Sequence, residues 1–148
     1  MKLITIATAA LMMSGIAAHA AGDIDKGKKV FKKCKSCHMV GEKAKKKVGP
    51  VLNNIFGATA GTVEGFTKYS KNMKKAGAEG LVWNEETLTE FLKKPKAMIK
   101  KTKMSFKGLK KEKDMVNILA YLASFSPDYK PEAMDDKMEE KTEPKTDG

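Results

Sequence analysis

Arginine is absent from this 148-residue chain, and cysteine and histidine occur only twice each. Two thiols and the single histidine beyond the first twenty residues are too few for a structural zinc site, which needs about four ligands. No alternation of apolar and polar residues is long enough to indicate a β-sheet, and no internal repeat is present. After the first twenty residues, no segment is long and apolar enough to span a membrane. These absences leave a small all-α domain as the predicted fold class.

The first twenty residues, MKLITIATAALMMSGIAAHA, have the pattern of an export signal. Lys2 gives the charged start, residues 3–16 form the apolar stretch, and small residues flank His19 at the predicted cleavage site. A retained membrane anchor is the alternative, but polar residues and glycine dilute the apolar stretch below what a spanning helix needs. We therefore expect cleavage after Ala20 and a soluble protein in the periplasm.

Charge is distributed unevenly along the chain. Residues 21–126 contain 24 lysines and ten acidic residues, whereas residues 127–148 contain four lysines and eight acidic residues. Because the chain is predicted to be exported and has no nucleic-acid-binding motif, the basic body indicates an acidic protein partner or an anionic surface instead. Residues 127–148 have too few apolar side chains to form a core. The predicted organisation is a signal at 1–20, one domain at 21–126 and an acidic, disordered tail at 127–148.

Apolar spacing and capping residues predict the helices of this domain. They are expected over residues 23–34, over 70–75, after an N-cap at Asn84 through Leu92, from Pro95 onwards, and over 111–124. Residues 39–69 are rich in glycine and lack a sustained period, which predicts an ordered loop. A loop this long is unusual in a small domain, and a large bound cofactor would organise it.

Both cysteines lie in the segment FKKCKSCH, which spans residues 31–38 and includes Cys34, Cys37 and His38. A disulfide here would close a very small loop and add little stability, and a catalytic dithiol is expected near a βαβ pattern. The C-x-x-C-H spacing is typical of covalently attached haem c, in which two thiols form thioethers and the histidine ligates the iron. We predict one haem c, with the disulfide and dithiol interpretations as the remaining alternatives.

The ligand on the other side of the iron decides between functions. A vacant position favours gas binding or peroxide chemistry, whereas a second strong ligand favours electron transfer, and methionine raises the reduction potential. Most of the ten methionines are expected to fill the core or to lie in the tail. Met104 is different because it lies in a predicted loop between helices, from which a thioether could reach the iron.

Several segments resemble the class I c-type cytochromes, particularly mitochondrial-type cytochrome c and the bacterial cytochrome c2 group. In chain order over residues 22–125 they are GDIDKGKKVFKKCKSCH, GPVLNNIFGATAG, EGFTKYS, LVWNEETLTEFLKKPKAMIKKTKM and NILAYL. The resemblance implies a small cytochrome c fold, with crossing N- and C-terminal helices and long loops wrapped around the haem. It implies a monomeric one-electron carrier rather than an enzyme. The implied partners are a quinol:cytochrome c oxidoreductase and a terminal oxidase or photosynthetic reaction centre.

The resemblance also implies roles for individual residues. Cys34 and Cys37 would carry the thioethers, and His38 and Met104 would be the iron ligands. Supporting positions would be Pro50, whose carbonyl accepts the His38 ring N–H; Tyr69 and Trp83, which donate to a haem propionate; and Gly27 and Phe31, which pack against Tyr121. Separately from the resemblance, we expect a ring of lysines around the exposed haem edge to dock the partners. The candidates, chosen because they lie close in sequence to the haem ligands, are Lys32, Lys33, Lys47, Lys96, Lys101 and Lys103.

Three departures from the family pattern concern the haem surroundings. Ala58 stands where relatives often have an arginine, which removes a bidentate guanidinium near the propionates. Phe91 stands where many have a tyrosine that reaches the methionine sulfur. Lys100 and Lys101 replace a Pro-Gly pair before the ligand loop, which predicts a less rigid loop. Three alternative functions stay open. The first is a haem protein with an unbound Met104 that acts as a peroxidase or gas binder, the second is a thiol oxidoreductase, and the third is a subunit of a larger complex.

Overall fold

The computed structural model describes residues 22–129, which contain five helices. They are α1 (Ile24–Phe31), α2 (Lys71–Ala78), α3 (Glu85–Lys93), α4 (Pro95–Met98) and α5 (Glu112–Ala123). In this part of the chain the only β-feature is an isolated antiparallel bridge between Thr59 and Val82, so the predicted all-α class is confirmed. None of the helices within residues 22–129 has the length and apolar content needed to cross a bilayer. The predicted signal and most of the predicted tail lie outside the described residues.

Side-chain caps start three of the five described helices, and the cap predicted at Asn84 is one of them. The Asn84 side chain accepts the backbone N–H of Thr87, and the Thr87 hydroxyl accepts the backbone N–H of Asn84, which forms a capping box at the start of α3. Ser70 caps α2 and Asp23 caps α1 in the same way, each accepting the N–H three residues later. These bonds satisfy amide groups that have no partner inside the helix.

Helix α1 is shorter than the predicted 23–34. It ends at Phe31, and the following residues form successive turns in which the N–H of Lys33 bonds to Val30 O and that of Cys34 to Phe31 O. These bonds span three residues rather than four, so the chain tightens as it leaves the helix. The tightened segment carries both cysteines into a turn beside the helix end.

Helices α1 and α5 cross in close contact and form the main packing of the fold. Gly27 makes the crossing possible, because a Cβ at this position would collide with the Asn117 carbonyl oxygen and lie 2.6 Å from Tyr121 Cβ. The rings of Phe31 and Tyr121 meet with centroids 5.4 Å apart. The predicted contact of Gly27 and Phe31 with Tyr121 is therefore confirmed.

The long loop is held by contacts with distant elements. Backbone bonds from Gly57 N to Trp83 O and from Trp83 N to Ala58 O pair it with the segment before α3. Gly77 of α2 lies directly on the Ala60 carbonyl oxygen, where no side chain would fit. On the other side, the Phe56 N–H donates to the Ser126 hydroxyl, and Tyr129 packs on the Phe56 ring at 5.0 Å.

Candidate functional site

The C-x-x-C-H segment folds into one compact turn after α1. The N–H groups of Cys37 and His38 both donate to the Cys34 carbonyl oxygen, at 3.0 and 2.9 Å. The Ser36 hydroxyl donates to Cys37 Sγ at 3.7 Å. Neither cysteine forms a disulfide. The turn therefore presents two free thiols and an imidazole from five consecutive residues.

The imidazole of His38 is held by the loop that follows it. His38 Nδ1 lies 2.8 Å from the Pro50 carbonyl oxygen, which is the predicted hydrogen bond, with the ring N–H donating. Gly49 is buried against the face of the same ring, and its N–H donates to the Cys37 carbonyl oxygen at 2.9 Å. This arrangement fixes the ring and leaves Nε2 as the nitrogen that can bind a metal.

Burial sets the protonation of the groups in this turn. It lowers the pKa of His38 below its ordinary value, an effect that the hydrogen bond to Pro50 opposes. The imidazole is then neutral near pH 7, the form that ligates metals. Burial also raises the pKa of the Cys34 thiol to about 11. A catalytic dithiol needs the opposite shift, so the burial of Cys34 counts against a thiol oxidoreductase.

Met104 lies in the loop between α4 and α5, as predicted. Its side chain is partly exposed and packs against the edge of the core, and its N–H donates to the Thr102 hydroxyl at 3.3 Å. Met73 and Met115 are buried at 8% and 4% exposure within helices. Their burial agrees with the prediction that most methionines fill the core, and it leaves Met39, Met98 and Met104 as the partly exposed methionines of the described residues.

The backbone before Met104 contains one unusual conformation. Lys101 has φ +58° in a turn that is closed by a bond from Thr102 N to Ile99 O. A left-handed conformation suits glycine, and Lys101 occupies the position at which the resembled family has one. A lysine is therefore strained at this position, whereas a glycine would not be, and the lower rigidity expected of the loop stays a prediction.

The aromatic residues expected near the propionates lie in two clusters. The Trp83 ring is buried against Phe91, with centroids 5.0 Å apart. Tyr69 meets Phe66 edge-on at 4.8 Å, and burial raises the pKa of its hydroxyl. Phe91 therefore belongs to the core beside Trp83.

Two residues that support the turn were not predicted. Gly49 accommodates the His38 ring. The Asn53 side chain closes the loop between Gly41 and Asn53, because it accepts the Gly41 N–H at 2.8 Å and donates to the Gly41 carbonyl oxygen at 2.9 Å. Both contacts depend on the fold of the loop. The glycine immediately before Pro50 was the one signal in the sequence that pointed to a tight approach there.

The donor set fits a covalent haem and not a metal ion alone. No group of three or more His, Cys, Asp or Glu side chains able to hold a metal ion occurs within residues 22–129. A haem needs fewer protein donors, because the porphyrin supplies four nitrogens to the iron. Two free thiols in one turn, followed by a fixed imidazole with an available Nε2, match that need.

Comparison with known proteins agrees with this reading of the site. Residues 24–126 match the cytochrome c family model. Cytochrome c2 of Afifella marina is 53% identical over 102 residues, which cover 69% of this chain and 82% of that protein. Cytochrome c2 of Rhodomicrobium vannielii is 50% identical over 126 residues, which cover 84% of this chain and 97% of that protein. The solved cytochrome c2 of Rhodospirillum centenum superposes with a TM-score of 0.67 at 40% identity, covering 72% of this chain and 100% of the other.

A helical fold with a C-x-x-C-H turn and a fixed histidine defines a class I c-type cytochrome, an electron-transfer protein that carries one covalently bound haem c. The chain belongs to the cytochrome c family, within its c2 group.

Proposed function

We propose that this chain is a soluble, periplasmic one-electron carrier whose haem c is ligated by His38 and Met104. Cys34 and Cys37 would hold the haem through thioethers. The observation that best supports the proposal is the fixed His38 ring, whose Nδ1 bonds to Pro50 O at 2.8 Å and whose other nitrogen is left for iron. Bound haem iron supplies the one-electron chemistry, and the protein supplies ligation, positioning and a low dielectric.

Each proposed ligand has a distinct structural role. Hydrogen bonding to Pro50 and packing on Gly49 orient the His38 ring and raise the basicity of its free nitrogen. Met104 would supply a soft thioether from a separate loop, which favours the reduced iron and so raises the potential. Since both positions are then filled in either redox state, little rearrangement accompanies electron transfer.

Tyr69 and Trp83 are proposed to donate hydrogen bonds to a haem propionate. A buried carboxylate without such partners would be costly, and Ala58 contributes no guanidinium to share the charge. Trp83 is 5% exposed, so its ring lies in the protein interior, which supports a role beside a buried propionate.

The proposed partners are a quinol:cytochrome c oxidoreductase and a terminal oxidase or reaction centre, met by a monomer through transient contacts. The lysine-rich composition of residues 21–126 supports acidic docking faces. Nucleic acid is not proposed as a partner, because the chain is expected to be exported and has no nucleic-acid-binding motif. Among the candidate docking lysines, Lys33 forms a salt bridge with Asp114 at 3.0 Å, and the Lys47 ammonium donates to the Lys35 carbonyl oxygen at 2.8 Å.

Export requires the signal at residues 1–20, and the domain is proposed to span 21–126 with an acidic tail after it.

The rival function is a peroxidase or gas binder in which Met104 is not bound to the iron. Carbon monoxide tests this directly, because it binds reduced haem iron only where an axial position is open. We expect the reduced native protein to show no spectral change under carbon monoxide at neutral pH, and the Met104→Ala variant to bind the gas. Rapid binding by the native protein would favour the rival.

A further inference from the structure

A cavity of about 640 Å³ lies beside α1, on the surface next to the haem-binding turn. Phe31 and Tyr121 contribute apolar walls, and four exposed lysines line it: Lys28, Lys32, Lys35 and Lys47. Among the described residues, its lining includes Ser36 and His38 of the haem-binding turn, but neither cysteine, nor Met104, nor any acidic residue. We call this the four-lysine cavity. Its occupant should combine negative charge with apolar groups.

A second cavity, of about 460 Å³ between α3 and α5, differs in charge. It is lined by Lys93, Lys110 and Lys111, but also by Glu85 and Glu112. Its charges of both signs largely balance, so it offers an acidic ligand much less attraction. The four-lysine cavity is therefore the better site for an anionic segment.

This chain itself contains a segment of matching chemistry. Residues 134–140 read MDDKMEE, with four acidic residues, one lysine, and methionines four positions apart. Methionine side chains adapt to irregular apolar surfaces. The four carboxylates match the four ammonium groups in number and oppose them in sign.

The chain after α5 starts close enough to reach the cavity. Tyr121 forms part of the cavity wall, and turns continue from α5 through bonds from Phe125 N to Leu122 O and from Tyr129 N to Ser126 O. These turns keep Tyr129 within about 17 Å of Tyr121, at 1.5 Å per helical residue and under 7 Å across each β-turn. The five residues from Lys130 to Met134 can span about 17 Å.

We propose that residues 134–140 bind in the four-lysine cavity of the same molecule. Binding places the acidic side chains on the lysine rim and the two methionines toward Phe31 and Tyr121. Binding of this segment shields these lysines from an acidic partner. The shielding rests on the proposed carrier function, but the intramolecular contact itself does not.

Carbodiimide cross-linking of the haem-loaded protein, with residues 130–148 intact, tests the contact. Peptide mass spectrometry should find amide bonds joining Asp135, Asp136, Glu139 or Glu140 mainly to the four cavity lysines. The cross-links should be independent of protein concentration and should be lost in 1 M salt, where the Debye length falls to about 3 Å.

A matched pair of variants separates the cavity from general basicity. Lys28→Glu with Lys32→Glu should reduce cross-linking at Lys35 and Lys47 roughly tenfold, because two ion pairs become like-charge pairs. Lys71→Glu with Lys74→Glu makes the same charge change on exposed positions of α2 and should have little effect. Equal losses in both variants, cross-links spread over all exposed lysines, or cross-links that disappear on dilution would each overturn the proposal. None of these outcomes depends on electron transfer, so they leave the proposed function to its own test.

Discussion

Gly49 packs against the imidazole ring of His38, and this contact determines how closely the loop can approach the haem-binding turn. Its backbone N–H also bonds to Cys37 O, so the glycine joins the loop to the turn. The position does not need a left-handed conformation. Only the missing side chain matters here, which makes the contact testable by adding a single methyl group.

We predict that Gly49→Ala will displace the His38 ring and lower stability by about 2 kcal/mol, as overpacking typically does. Thermal unfolding should show the loss, and the absorption spectrum should show altered ligation of the iron. Lys45→Ala, at an exposed position of the same loop, is the control. It should leave the spectrum unchanged. Identical spectra for both variants and the native protein would contradict the role of Gly49.

Lys101 gives a prediction of the opposite sign. Its φ of +58° is unfavourable for a side chain with a Cβ, so Lys101→Gly should stabilise the protein by about 1 kcal/mol. Lys100→Gly is the control on the neighbouring residue, which lacks a positive φ, and it should destabilise because glycine adds freedom to the unfolded chain. Chemical denaturation would measure both changes. Destabilisation of equal size in the two variants would show that Lys101 is not strained.

At the scale of helices, the sequence and the structure agree best where local chemistry decides the outcome. Asn84 was predicted as an N-cap and Ser70 as the first residue of a short helix, and both side chains cap the helices that follow them. The end of α1 was predicted three residues too late. The chain tightens into turns after Phe31, where the C-x-x-C-H segment follows. The apolar stripe of α1 does not predict this change, so it could not show where the helix ends.

The loop over residues 39–69 could be predicted as a loop, but its path could not. Its conformation depends on partners distant in sequence, such as the bonds of Ala58 and Gly57 to Trp83. The site shows the same division between local and distant information. The spacing of Cys34, Cys37 and His38 is local in sequence, so the haem-binding motif could be predicted from it. The supports from Gly49 and Asn53 arise only when the loop folds back.

The crossing of α1 and α5 should tolerate no side chain at Gly27. Gly27→Ala would force the new Cβ against the Asn117 carbonyl oxygen, and we expect a loss on the order of 3 kcal/mol because backbone cannot move aside easily. Lys29→Ala, at an exposed position of the same helix, is the control and should change stability by less than about 0.5 kcal/mol. A small effect of Gly27→Ala in denaturant unfolding would mean that the helices are less closely packed.

The cap of α1 should make stability depend on pH. Hydrogen bonds from the Lys26 backbone and side chain lower the pKa of Asp23, so the folded state favours the ionised carboxylate. This contribution is present above about pH 4, where the unfolded carboxyl is also ionised, and is lost as the pH falls through the lowered pKa. Asp23→Ala should therefore lower the melting temperature at pH 7, and the difference from the native protein should shrink toward pH 3. A difference that stays constant over this range would exclude the carboxylate as its source.

At the scale of the whole molecule, the excess of lysine over acidic residues in residues 21–126 should govern encounters with charged reagents. We predict that oxidation by anionic ferricyanide slows as ionic strength rises from 0.01 to 1 M, because the Debye length falls from about 30 to 3 Å. Oxidation by a cationic cobalt(III) complex should accelerate over the same range. Stopped-flow absorbance measures both rates. Equal salt dependence for the two reagents would contradict electrostatic steering.

The central proposal is that a thioether from residue 104 completes the coordination of an iron already bound by His38. The most direct test is the near-infrared charge-transfer band of a ferric methionine–iron bond, recorded for the native protein and for Met104→Ala and Met98→Ala. The account predicts that the band is present in the native protein and in Met98→Ala and absent from Met104→Ala. A band that survives in Met104→Ala, or one that is missing from the native protein, would contradict it.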